Sequence, residues 1–264
     1  MANLAAALAA QGYAVGVLDA DIWGFSLPRM LGLDTRLEAS KDASGSTRIV
    51  PQRLDVGAGR LEVVSMGLLV DDESDALMWR GLILNRAVQH FLEDVAWPDD
   101  LQYLVIDMPP GTGDVQMGLA RMLPQAEMIV VTTPALAAQK VAARAVTMAR
   151  KSYLRVLGAV ENMSAFECEH GTSYALFGSG GGAALAQDAE IPLLGAIPLE
   201  PSVSSGSDVG RPVALGEGAA ADAFRAIASR LADDLAPPID MGGCSARLLA
   251  AATSALDALD AEGS

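Results

Sequence analysis

The run Tyr103-Leu104-Val105-Ile106-Asp107, followed by Met108-Pro109-Pro110-Gly111-Thr112-Gly113-Asp114, constrains this chain more than any other stretch. Four apolar residues in unbroken succession suit a strand of a parallel sheet covered on both faces. A carboxylate closes the run, and open α/β sheets gather their ligands at the carboxyl ends of their strands. Asp107 therefore stands where a carboxylate can hold Mg²⁺ through water. The glycines after it let backbone N–H groups approach a phosphate closely. An ordinary buried strand and turn fits the same residues. A second run, Tyr13 to Leu18, also ends in carboxylates, Asp19-Ala20-Asp21, and makes that plainer reading harder to hold.

The remaining periodicity predicts helices over Asn3 to Gln11, stopped by Gly12, and over Leu82 to Val95, Val115 to Met122, Ala135 to Lys151, Ala183 to Ala189 and Gly216 to Leu235. Strands are predicted at Leu61 to Met66, Glu127 to Thr132, Leu154 to Val160 and Leu193 to Ile197. Thr35 to Gly59 reads as a polar surface excursion with a short hairpin around Arg48 to Val50, and Phe166 to Gly182 as irregular. Strands alternating with helices call for an α/β fold with a mainly parallel sheet flanked by helices. Pro237-Pro238 divides a domain over residues 1–236 from a tail over 237–264. In the tail, Leu248, Leu249, Ala252, Leu256 and Leu259 fall at helical spacing.

At 264 residues and 51% hydrophobic, the chain can bury one large core. A net charge of −15 argues against nucleic acid or an anionic membrane as partner, since both select basic surfaces. Cys168 and Cys244 are too few for a disulfide framework. The first cationic residue is Arg29 and no apolar run is long enough to span a bilayer, so a cytoplasmic protein is expected.

Five segments then occur in a familiar order: Asp19-Ala20-Asp21-Ile22-Trp23-Gly24, Trp79-Arg80-Gly81, Ile106 to Asp114, Glu161-Asn162-Met163-Ser164, and Phe177-Gly178-Ser179-Gly180-Gly181-Gly182. Over residues 1 to 215 the chain resembles the Mrp/NBP35 (ApbC-type) iron–sulfur cluster carriers, which are P-loop ATPases related to MinD. The resemblance implies a MinD-like fold and a homodimer. It also implies an assembly ATPase that binds ATP with Mg²⁺ and passes a [4Fe–4S] cluster to recipient apoproteins. Asp19 and Asp21 match its first switch pair, Asp21 being the catalytic residue that orients the attacking water. Asp107 matches the carboxylate at the Mg²⁺ shell, and Gly111, Thr112, Gly113 and Asp114 the loop beside the γ-phosphate. Asn162 matches the reader of the adenine edge, with Pro198 and Leu199 near the base, and Cys168 matches a cluster thiolate.

Two departures from that pattern stand out. The family's K-G-G-V-G-K-[ST] loop belongs just before the first helix, and no lysine here (Lys41, Lys140, Lys151) follows a glycine. The expectation is an amino-terminally shortened form lacking the first strand and P-loop, with impaired hydrolysis. Gly178 to Gly182 carry no lysine and do not replace that loop. Where the family has Cys-x-x-Cys, this chain has Cys168-Glu169-His170-Gly171, so two copies supply two thiolates instead of four. His170 and Cys244 are the further candidate ligands, and a structural cysteine in a lid loop is the alternative. Two other functions are weighed: a non-catalytic binding or scaffold protein of the same fold, and a MinD/ParA-like positioning ATPase. The latter normally needs a basic helix, whereas the tail holds Arg247 against Asp257, Asp260 and Glu262.

Overall fold

The computed structural model describes residues 1–21, 24–41, 45–68, 88–109, 114–168 and 170–238. Expectations for Trp79-Arg80-Gly81, for Gly111, Thr112 and Gly113, for Cys244 and for the tail from 239 onward lie outside them.

Helix α1 (Ala2–Ala10) ends at Gly12, whose φ of 103° only glycine adopts readily, and leads into β1 (Ala14–Asp19). A short α2 (Leu27–Leu31) follows, with Pro28 in its first turn and Gly32 closing it in the left-handed conformation. Next come the hairpin β2 (Glu38–Lys41) and β3 (Thr47–Val50), then β4 (Gln52–Val56) and β5 (Gly59–Ser65). Residues 88–93 are helical and form α3. The second half of the chain runs β6 (Tyr103–Asp107), α4 (Asp114–Met122), β7 (Glu127–Thr132), α5 (Leu136–Lys151) and β8 (Arg155–Asn162). A small hairpin of β9 (Phe166–Glu167) and β10 (Ser173–Tyr174) precedes α6 (Gly181–Asp188), β11 (Leu193–Ile197), α7 (Pro201–Asp208) and α8 (Ala219–Arg230).

Besides α2, three stretches differ from the sequence reading. The polar stretch before Gly59 contributes β4, which pairs antiparallel with β5 and is more than surface excursion. The stretch expected to be irregular after Phe166 contains the β9–β10 hairpin. Pro201 opens α7, a helix the sequence reading did not include; a proline at the first helical position gives up only an N–H that has no partner there anyway.

Apart from the two small hairpins, the strands form two separate, mainly parallel sheets, ordered β4-β5-β1-β6 and β11-β8-β7, with β4 the antiparallel member. β1 is parallel to both β5 and β6, and β8 is parallel to both β7 and β11. β6 and β7 are outer strands, and both line one cleft of about 950 Å³ whose walls include Leu104, Ile106, Leu119, Ile129, Val131 and Val141. Among the described residues neither strand has a partner on the cleft side.

The layers are joined by helices. All six residues of β1 are buried: Val15 and Val17 share a core with α1 and α8, where Ala5, Ala9 and Ala228 are fully buried, and Leu18 packs in a second core with Val64, Val88 and Phe91. Small side chains let these two helices approach closely. Ile227 of α8 packs on the other layer against Leu157, Leu194 and Ile197, so α8 belongs to both cores. Burying each large aliphatic side chain stabilises the fold by roughly 1.5–3 kcal/mol. No described helix is long and apolar enough to cross a membrane.

Candidate functional site

Parallel pairing sets Asp19 and Asp107 side by side, because β1 and β6 keep register from Val15–Tyr103 to their last residues. The N–H of Ala20 donates to the Asp107 carbonyl at 2.9 Å and fixes the two strand ends together. Asp19 is 1% exposed. Its carboxylate accepts from the Ser65 hydroxyl at 3.0 Å and from the Asp21 N–H at 3.2 Å. Burial pushes the Asp19 carboxyl up to about 6 against the pull of the Ser65 hydroxyl, and the Asp107 charge adds to the rise. Burial raises Asp107 as well, partly offset by the amino group at Met1, with Asp21 adding to the rise. Asp21 is half-buried over Gly24, where a β-carbon would lie 2.9 Å from its carboxylate.

The structure thus brings Asp19, Asp21 and Asp107 to one place, next to the first turn of α1. Two adjacent carboxyls with raised affinity for protons are a donor set that a hard divalent cation would ionise and hold, since it favours oxygen ligands. Downstream of Asp107, the buried Gln116 donates to the Pro109 carbonyl at 2.7 Å and anchors the entry to residues 110–113. Asp114 opens α4.

Asn162 ends β8, opposite Ile197 of β11. Its side-chain oxygen accepts from the Met163 N–H at 3.0 Å, and Met163 takes a positive φ of 57°. The Leu199 N–H donates to the Ala165 carbonyl at 2.7 Å, so Pro198 and Leu199 sit against the segment that follows Asn162. The cleft between the layers has Met108 and Pro109 on one wall and Asn162 on the other.

Cys168 lies apart from these groups, in the tip of the β9–β10 hairpin. Its N–H donates to the Thr172 carbonyl at 3.0 Å and its carbonyl accepts from the Gly171 N–H at 2.9 Å. The His170 N–H, followed by that of Thr172, holds the thiol below the usual cysteine range and so favours the thiolate. Gly171 has φ 74° with nothing within 4 Å of an added β-carbon. Among the described residues no group of three potential metal ligands assembles.

The sequence reading left Ser65, Gln116 and Glu161 without roles. Ser65 could have been found as the last residue of a strand beside β1, because parallel neighbours end together. Glu161 is 5% exposed and accepts from the Gly182 N–H at the start of α6. Gly181 and Gly182 are packing glycines: added β-carbons would meet the Pro134 carbonyl at 2.5 Å and Glu161 at 2.6 Å.

A family model described as ParA, NUBPL iron-transfer P-loop NTPase, matches residues 1–232. The iron-sulfur cluster carrier protein of Mycobacterium tuberculosis (strain ATCC 25618 / H37Rv) is 43% identical over 219 residues, covering 81% of this chain and 55% of that protein. The chain therefore spans about half the length of that relative. Among solved structures, the nucleotide-binding protein of Archaeoglobus fulgidus in complex with ADP is 33% identical, with a TM-score of 0.68 over 84% of each chain. The septum site-determining protein MinD of Pyrococcus horikoshii, complexed with Mg-ADP, shares the fold at 21% identity and a TM-score of 0.60, covering 89% of this chain and 90% of that one.

Proposed function

The chain belongs to the ParA family in its NUBPL iron-transfer P-loop NTPase form, and from that premise we propose that it is a nucleotide-responsive carrier of iron–sulfur clusters. The observation that carries this reading is the in-register meeting of Asp19 and Asp107, the latter followed by Met108 and Pro109, which line a cleft whose far wall holds Asn162. In it, Asp107 and Asp19 would hold the Mg²⁺ of a bound ATP, and Asp21 would orient the water that attacks the terminal phosphate. Residues 111–114 border that phosphate. Asn162, Pro198 and Leu199 border the adenine. A bound Mg²⁺ supplies charge neutralisation of the phosphates. The protein's own part is to hold the Asp19 and Asp107 carboxyls on two adjoining strand ends, with Asp21 two residues beyond the first.

The cargo is a [4Fe–4S] cluster shared by the Cys168 thiolates of two copies and passed to recipient apoproteins. A thiolate at an exposed hairpin tip suits a ligand that must be released. Hydrolysis by residues 1–264 is expected to be slow: Lys41, Lys140 and Lys151 follow Ser40, Gln139 and Arg150, so no Gly-Lys-Ser/Thr cradle is present. Losing one preorganised donor already costs roughly 10²–10³ in rate.

The test has two arms. Titration with Mg-ADP should show binding that weakens at least about tenfold, or about 1.4 kcal/mol, in Asn162→Ala. Anaerobic reconstitution should give iron bound per dimer that is lost in Cys168→Ala and transferable to an apo [4Fe–4S] protein. Nucleotide binding without iron above the Cys168→Ala control would favour the second reading, a non-catalytic scaffold. That reading draws on Gly171 standing where the family has its second cysteine.

A further inference from the structure

Helix α5 carries Lys140, Arg144, Arg150 and Lys151 and no acidic residue, in a chain of 33 acidic and 18 basic side chains. Arg150 donates to the Ala189 carbonyl just beyond α6. Arg144, Met148 and Lys151 lie at helical spacing and line a groove of about 550 Å³ together with Met117 and Arg121 of α4 and with Tyr153. None of Arg121, Arg144 and Lys151 has an acidic partner among the described residues. A cation in the last turn of a helix is favoured by the helix dipole, which accounts for Arg121 and Lys151. It does not account for Arg144, about two turns before the end of α5. Nor does it account for two methionines beside the charges, or for Tyr153, which is 94% exposed and held at a φ of 59°. Arginine and tyrosine are the residue types that most often dominate binding at protein interfaces, and methionine adapts to varied apolar partners.

We propose that this groove docks an acidic segment of a partner protein, its carboxylates facing Arg121, Arg144 and Lys151 and its apolar side chains resting on Met117, Met148 and Tyr153. Charge complementarity selects that occupant. A body of net charge −15 repels a broad anionic surface, and a bilayer or a nucleic-acid duplex spreads its charge over an area wider than the groove. A single segment reaches the cations while the rest of its protein stays clear. From Arg144 to Lys151 the wall runs about 10 Å, the length of about three extended residues or two helical turns. The groove is apart from the nucleotide-facing residues: the length of β8, about 23 Å, separates Tyr153 from Asn162. Docking there is therefore independent of the carrier reading. Ala120 and Met148 line both the groove and the cleft between the sheets, so the substitutions that test the groove spare them.

A phage-displayed library of random peptides of about 12 residues, selected on the full chain, supplies the probe. Enriched peptides should combine net negative charge with leucine, phenylalanine or tryptophan. A synthetic copy of the strongest should bind severalfold more weakly at about 0.5 M salt than at about 0.05 M. Its affinity should fall at least about tenfold in Arg121→Glu/Arg144→Glu, which reverses two exposed charges, with Tm kept within about 4 °C of the parent. If charge reversal unfolds the chain, Arg121→Gln/Arg144→Gln carries the same comparison, with an expected loss of about threefold. Failure to enrich acidic peptides, or equal binding by the folded variant, would overturn the proposal. Variant-sensitive binding of phosphatidylserine vesicles or of duplex DNA, without peptide binding, would overturn it in favour of those surfaces. Self-association in the ultracentrifuge that the variant abolishes, again without peptide binding, would overturn it in favour of a second copy.

Discussion

A carboxyl that is 1% exposed and titrates near 6 makes the folded state hold a proton that the unfolded chain has already released. The folded pKa is raised, so the folded state binds more protons than the unfolded state between about pH 4 and 6. Stability from this group is therefore greatest below pH 4 and falls as pH rises through that window. The shift from 3.8 to about 6 corresponds to roughly 3 kcal/mol. Asp19→Asn should stabilise the nucleotide-free chain at pH 7 by about 1–3 kcal/mol and flatten the pH dependence of Tm between 4 and 6. A melting series in which the variant keeps the parent slope would count against this assignment. At Gly171 the physics is conformational: a cysteine there meets no atom but must adopt φ 74°, at a cost of about 1–2 kcal/mol. Gly171→Cys should thus lower Tm by several degrees while raising the iron retained after anaerobic reconstitution, read by iron analysis after gel filtration. Asp19, Asp107 and Asn162 were legible because each closes an apolar run or sits in a motif. Ser65 and Gln116 were not, since a hydroxyl or an amide gains its role only from the strand or loop that folding brings beside it.

At the scale of elements, the alanine content of α1 shows its purpose only in the packed molecule. Alone, Asn3 to Gln11 reads as a helix of high propensity, but no local pattern says that Ala5 and Ala9 share a core with Ala228 of α8. The site draws on that pair, because α1 packs on β1 and α8 packs on α1. Ala228→Leu would add three carbons where exposure is 0%, and overpacking of this kind costs typically 1–3 kcal/mol. We expect a lower urea midpoint with an unchanged slope; an unchanged midpoint would mean the interface has slack. Helices α2 and α7 escaped the sequence reading for a related reason. Helix α2 runs for only 5 residues, and α7, with the sequence Pro-Ser-Val-Ser-Ser-Gly-Ser-Asp, has too few apolar side chains for periodicity to register.

For the whole molecule, α/β class and strand direction follow from alternation alone, and both are seen. The lateral order of strands does not, because pairing between distant segments leaves no periodic trace in either one. Nothing in Tyr103–Asp107 or Glu127–Thr132 announces that these two strands would be sheet edges on a common cleft. Val131 is 60% exposed, and neither edge has its backbone N–H and C=O groups capped by a neighbouring strand on that side among the described residues. Such edges are templates that another polypeptide can extend, and they are most available while a chain is partly folded. In colloidal terms, two sticky rims on a body of net charge −15 set short-range attraction against long-range repulsion. Refolding of residues 1–264 from urea should therefore lose yield to precipitate as protein concentration rises. The loss should worsen when salt screens the repulsion, as light scattering during dilution would show.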